Sequence, residues 1–100
     1  MRQGTTPTHY FELPFDVSFV EKARIIYKQT DDIVLTKEDS DLEKNGNTLT
    51  VRLTQEETLR FDPYRVVQIQ VRLLSPAGDS MVSDIMRASV DECLESAVMA

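Results

Sequence analysis

From Thr8 to Leu13 apolar and polar positions alternate, placing His9, Phe11 and Leu13 on one face before Pro14 stops the run. A period of two is the spacing of a strand with one buried side, so a first strand is predicted here. Glu21 to Gln29 sets Ala23, Ile25 and Tyr27 against Lys22, Arg24, Ile26 and Lys28, the pattern of a half-solvated antiparallel strand. Asp31-Asp32 turns the chain into a third strand, Ile33 to Lys37. In a fourth, Leu49, Val51 and Leu53 alternate with Thr48, Thr50, Arg52 and Thr54. Asn45-Gly46 precedes it and predicts a two-residue hairpin turn, since both residues tolerate positive φ. A fifth strand, Arg65 to Leu73, turns Val67, Ile69, Val71 and Leu73 inward, and Pro76-Ala77-Gly78-Asp79 ends it in a turn. The sixth is predicted from Ser80 to about Val90, with Met86, Ala88 and Val90 inward.

Thr54 to Glu57 matches the S/T-x-x-E capping box, in which each side chain satisfies the other's free backbone N–H. A short helical turn near residues 55–60 is therefore predicted, with Phe61 packed beneath it. Strands joined by short turns, with no β-α alternation, imply an all-β antiparallel β-sandwich of six to seven strands, immunoglobulin-like in topology. One domain spans 1–100, with residues 1–7 as an N-terminal arm. Residues 91–100 can continue the last strand, fray, or form a short helix with Cys93, Leu94, Val98 and Met99 at its apolar positions. The predicted core is Phe11, Ile25, Tyr27, Leu49, Val51, Leu53, Val67, Ile69, Val71, Met86, Ala88 and Val90.

Net charge is −6, which argues against a nucleic-acid partner, because phosphate binding needs concentrated Lys and Arg. No run of about 18 apolar residues is present, so no membrane partner is expected. Cys93 is the single cysteine and has no internal disulfide partner, which fits folding in a reducing cytoplasm. Pro7, His9, Glu12, Pro14 and Asp16 interrupt the first twenty residues, so no signal peptide is read there.

The chemistry-bearing residues assemble into no reactive set. Asp41-x-Glu43-x-Asn45-Gly46 opens like a calcium loop, but its twelfth position is Arg52 where a bidentate Glu is needed. The acidic stretch from Glu38 to Glu43 reads instead as a charged edge that discourages strand pairing. His9 is the only histidine, and a zinc site would have to draw Cys93 from the opposite end of the chain. Asp91, Glu92 and Glu95 around Cys93 raise rather than lower a thiol pKa. The expectation is no catalytic residue, no metal, no cofactor and no small-molecule substrate. What breaks the polar-out pattern is a group of apolar residues, Ile26, Val66, Leu74 and Ile85, among Arg24, Lys28, Gln68, Gln70 and Arg72. A strand face mixing aliphatic and arginine groups suits a protein interface. Arg24, Ile26, Lys28, Val66, Gln68, Arg72 and Leu74 are its candidate residues.

The order Gly4-Thr5-Thr6-Pro7-Thr8-His9, Leu13-Pro14-Phe15-Asp16, Leu53-Thr54-Gln55-Glu56-Glu57-Thr58-x-x-Phe61, Gln68-Ile69-Gln70-Val71-Arg72 and Ser89-Val90-Asp91-x-Cys93-Leu94 resembles a group of small proteins encoded in prophages of Gram-positive bacteria, among virion-structure genes. The resemblance covers nearly the whole chain and implies a tail, baseplate or other virion component with a sandwich fold. It carries over no functional residue. The implied partners are virion components or further copies of the chain, with incorporation into a virion after synthesis in the cytoplasm. The other reading of the same features is a small monomeric regulatory or inhibitory binding protein of host or phage origin.

Overall fold

The computed structural model describes residues 1–100. Its strands are β1 (Thr8–Glu12), β2 (Lys22–Gln29), β3 (Asp32–Lys37), β4 (Glu43–Asn45), β5 (Thr48–Arg52), β6 (Val67–Leu74), β7 (Ser80–Val82) and β8 (Met86–Ala88). A helical turn, α1 (Gln55–Leu59), links β5 to β6. The strands form two antiparallel sheets, one ordered β1-β5-β4 and the other β3-β2-β6-β7, with β8 also paired to β6. Alternation drives this layering, because each strand buries one side and must find a second sheet to cover it. Sixteen buried apolar residues make one core, among them Ile25 and Tyr27 from β2, Leu49 and Val51 from β5, and Val67, Ile69 and Val71 from β6.

In the lettering of variable-type immunoglobulin domains, β1, β5 and β4 take positions B, E and D, while β3, β2, β6 and β7/β8 take C′, C, F and G. The topology is immunoglobulin-like. No strand occupies position A beside β1. Residues 1–3 lie at the other sheet, where Arg2 forms a parallel bridge to Asp91 and the N-terminal ammonium donates to Ser89 O at 2.9 Å. The N-terminal arm is thus tied down beyond β8.

The corner between β5 and β6 follows its sequence signature. Glu57 N–H donates to Thr54 Oγ1 at 3.2 Å, and Thr54 N–H donates to Glu57 Oε1 at 2.8 Å. Phe61 is fully buried under the turn, with its ring centroid 5.9 Å from that of Tyr27. Lys37, the inward residue at the end of β3, reaches Glu57 at 2.7 Å. Buried Gln29 holds the next loop, donating to the carbonyls of Asp62 and Arg65 and accepting from Asp62 N–H.

Four expectations need correction. The sixth strand is two short strands: Ser83 Oγ accepts from Val71 N–H at 2.9 Å, replacing a main-chain bond and breaking the ladder. Across residues 83–85 the inward phase shifts, so Met81 faces Leu73 and Met86 faces Ile69. Met86 consequently lies at the open margin, 37% exposed rather than in the core, and Ala88 is only half-buried. The hairpin loop is Gly46-Asn47, one residue later than expected, with Gly46 at φ 60° in the first central position as in a type II′ turn. The turn after β2 centres on Thr30-Asp31, and Thr30 adopts φ 54°. Of the outcomes open to residues 91–100, neither a strand nor a helix forms there.

Candidate protein-contact face

The outward side of the larger sheet collects the residues that broke the polar pattern. On β2 these are Lys22, Arg24, Ile26 and Lys28, and on β6 Gln68, Gln70, Arg72 and Leu74. The register sets Lys22 opposite Leu74, Arg24 opposite Arg72, Ile26 opposite Gln70 and Lys28 opposite Gln68. The sheet is extended by β7 and β8, which bring Val82 opposite Arg72 and Arg87 opposite Gln68. Six of the seven candidate residues therefore share one surface. The seventh, Val66, precedes β6 and is 53% exposed, lining a hollow with Thr30, Gln68 and Arg87. Ile85 sits apart, in the break between β7 and β8. Val82 was missed because the phase shift at residues 83–85 puts β7 in the opposite phase from the predicted strand, whereas Arg87 keeps the outward phase that inward Met86 and Ala88 imply. Ile33 was missed as well, 62% exposed and paired with Lys28 across an irregular register.

The electrostatics of this surface run against the rest of the chain. Lys22, Arg24, Lys28, Arg72 and Arg87 face two acids, Glu38, which holds Arg24 Nε at 3.0 Å, and Asp39, which lines the same end of the sheet beside Lys22. That local balance of +3, in a chain of net charge −6, leaves −9 for the remaining residues. Like charges directly across an antiparallel pair are unfavourable. Arg72, opposite Arg24, has no acidic partner of its own. A cavity of about 200 Å³ opens at this end between Lys22, Arg24, Arg72 and Ser80. An arginine without a salt-bridge partner beside Leu74 and Val82 can give directed hydrogen bonds to a carboxylate while the aliphatic groups supply buried area.

The remaining polar groups serve the fold. His9 Nδ1 and Tyr27 Oη lie 2.8 Å apart inside the sandwich. Burial lowers the His9 pKa, with a smaller contribution from the N-terminal ammonium, and burial raises that of Tyr27, with a smaller contribution from Glu57. Cys93 is half-buried beside Gly4, and its N–H donates to Gln3 Oε1 at 3.1 Å. Asp41 and Glu43 stand at a 3-10 turn and a hairpin strand. No group of three or more His, Cys, Asp or Glu side chains gathers closely enough to hold a metal ion.

Among solved structures the chain is similar to the V domain of amphioxus IgVJ-C2, at 14% identity and a TM-score of 0.38, over 91% of this chain and 95% of that one. No family model matches the sequence, and no curated protein is similar to it.

Proposed function

We propose that this domain is a structural or assembly module that acts by protein–protein contact through the outward face of β2 and β6. The observation that carries the reading is the composition of that face: Ile26, Leu74 and Val82 are set among Arg24, Arg72 and Arg87 on the side of the sheet turned away from the core. Interfaces are enriched in arginine and need an apolar centre. The setting we propose is the virion of a Gram-positive phage or prophage, in a tail, baseplate or related part, and its support is the sequence resemblance described above.

Replacing Ile26 and Val66 together by Ser tests the reading, since both can lose side-chain bulk without opening the core. The double variant should keep the thermal transition of the wild type within a few degrees and lose assembly in sedimentation runs, with loss of recovery in purified phage particles measured by mass spectrometry. Unchanged assembly and unchanged recovery would reject this face. A wild-type chain that sediments as a monomer and is absent from particles would favour the small monomeric regulatory or inhibitory binding protein instead.

A further inference from the structure

The opposite side of the sandwich carries a different feature. In the β1–β5 ladder Leu53 N–H donates to Pro7 O at 2.9 Å, and Leu13 N–H donates to Asn47 O at 2.7 Å. With Phe11 opposite Leu49 and His9 opposite Val51, the odd-numbered residues are the ones bonded to β5. The N–H and C=O groups of Thr8, Tyr10 and Glu12 therefore point the other way, where no strand lies. Beneath this edge a cavity of about 480 Å³ runs between the sheets, floored by Phe11, Leu13, Val71, Leu73, Met81 and Met86. It exists because position A is empty and the β7–β8 break holds Met86 away from the core.

We infer that this edge accepts a short extended segment of another protein, added as a strand beside β1, with alternate aliphatic side chains filling the cavity. Main-chain bonds to Thr8, Tyr10 and Glu12 would supply affinity, and the cavity would select every second residue. Charge selects the rest. The charged residues around the cavity are Glu12 and Asp84, with no cation among them, so the incoming segment carries Lys or Arg opposite Glu12. The chain's own exposed apolar segment, from Leu94 to Met99, contains Glu95 and no cation. A second copy of that segment would meet acid with acid. The five residues of β1 span about 17 Å at roughly 3.4 Å each, enough to pair with about five added residues, which a seven-residue segment supplies with one to spare at each end.

The test is an NMR titration of the full chain with a seven-residue peptide alternating valine and lysine, alongside the same peptide with glutamate for lysine. Saturable shifts at the Thr8, Tyr10 and Glu12 amides, and slowed hydrogen exchange there, are expected with the lysine peptide alone. Tyr10→Pro removes an outward N–H without touching the bonds to β5 and should weaken binding about tenfold or more. If that variant fails to fold, Glu12→Lys should weaken the lysine peptide and favour the glutamate one. The inference is overturned by equal binding of both peptides, by shifts centred on β2 and β6, or by no shift at these amides at millimolar peptide. Self-association abolished by Tyr10→Pro would assign the edge to a second copy and overturn it as well. Because the probe touches neither Ile26 nor Val66, its failure leaves the proposed contact face standing.

Discussion

The β2–β6 ribbon and the β1/β7–β8 margin are built from similar residues yet end in opposite states. Strand β2 is paired to β6 over all eight of its residues and to β3 from Ile25 to Gln29. Its inward positions Ala23, Ile25, Tyr27 and Gln29 are all buried. At the margin β1 has one partner, and β7 and β8 hold three residues each. The difference teaches that alternation alone does not bury a side chain; a second sheet must reach it. Met86 has the inward phase of Ile69 and stands opposite it, but Ile69 is 7% exposed and Met86 37%.

That pair gives the largest expected effect. Ile69→Ala should cost about 2 to 5 kcal/mol. Met86→Ala should cost under about 1 kcal/mol, because a half-open site loses little burial and leaves no closed cavity. Denaturant unfolding of both variants checks the contrast, and equal losses would mean the margin is as closed as the ribbon.

The α1 corner belongs with the closed half, and its cap is the next test. Thr54→Ala should cost about 0.5 to 2 kcal/mol, because Glu57 N–H loses its acceptor at the first turn. Chemical denaturation reads it directly. A loss below that range would show that the corner is held by Phe61 and the Lys37–Glu57 pair rather than by its cap.

Much of this was legible because the signals are local. The capping box fixes α1 within its own four residues, and period two sets the inward faces of β1, β2, β5 and β6. The β7–β8 break was not legible, since it depends on Ser83 replacing a main-chain partner of Val71, twelve residues away. The empty position beside β1 was equally hidden, because a strand's own pattern does not say what lies next to it. On the outward side of the larger sheet, periodicity grouped six residues that the register also brings together, while Val82 lay beyond a phase shift and Ile33 across an irregular register. Gln29 and Lys37 appear as polar residues on otherwise apolar faces, and only the loops that meet them explain their burial.

Acid should separate the two halves more gently. Burial holds the His9 pKa below 6.5. The unfolded chain therefore binds a proton more readily, and this contribution to stability is present above about pH 6.5 and lost as pH falls through the lowered folded value. For Glu57, burial pushes the pKa up, but the Lys37 ammonium and the Thr54 N–H outweigh it and the net shift is downward from 4.5. Its contribution is present above about pH 4.5 and lost as pH falls through its lowered folded value. Thermal melts across this range should show two successive declines, and His9→Gln should flatten the upper one.

Amide hydrogen exchange tests the closed and open halves most directly. The Ile25 and Ile26 amides, in a strand paired on both sides, should exchange only through global unfolding, while those of Thr8, Tyr10 and Glu12 should exchange at nearly unprotected rates. Protection at Tyr10 equal to that at Ile25, in the protein alone, would contradict the open edge.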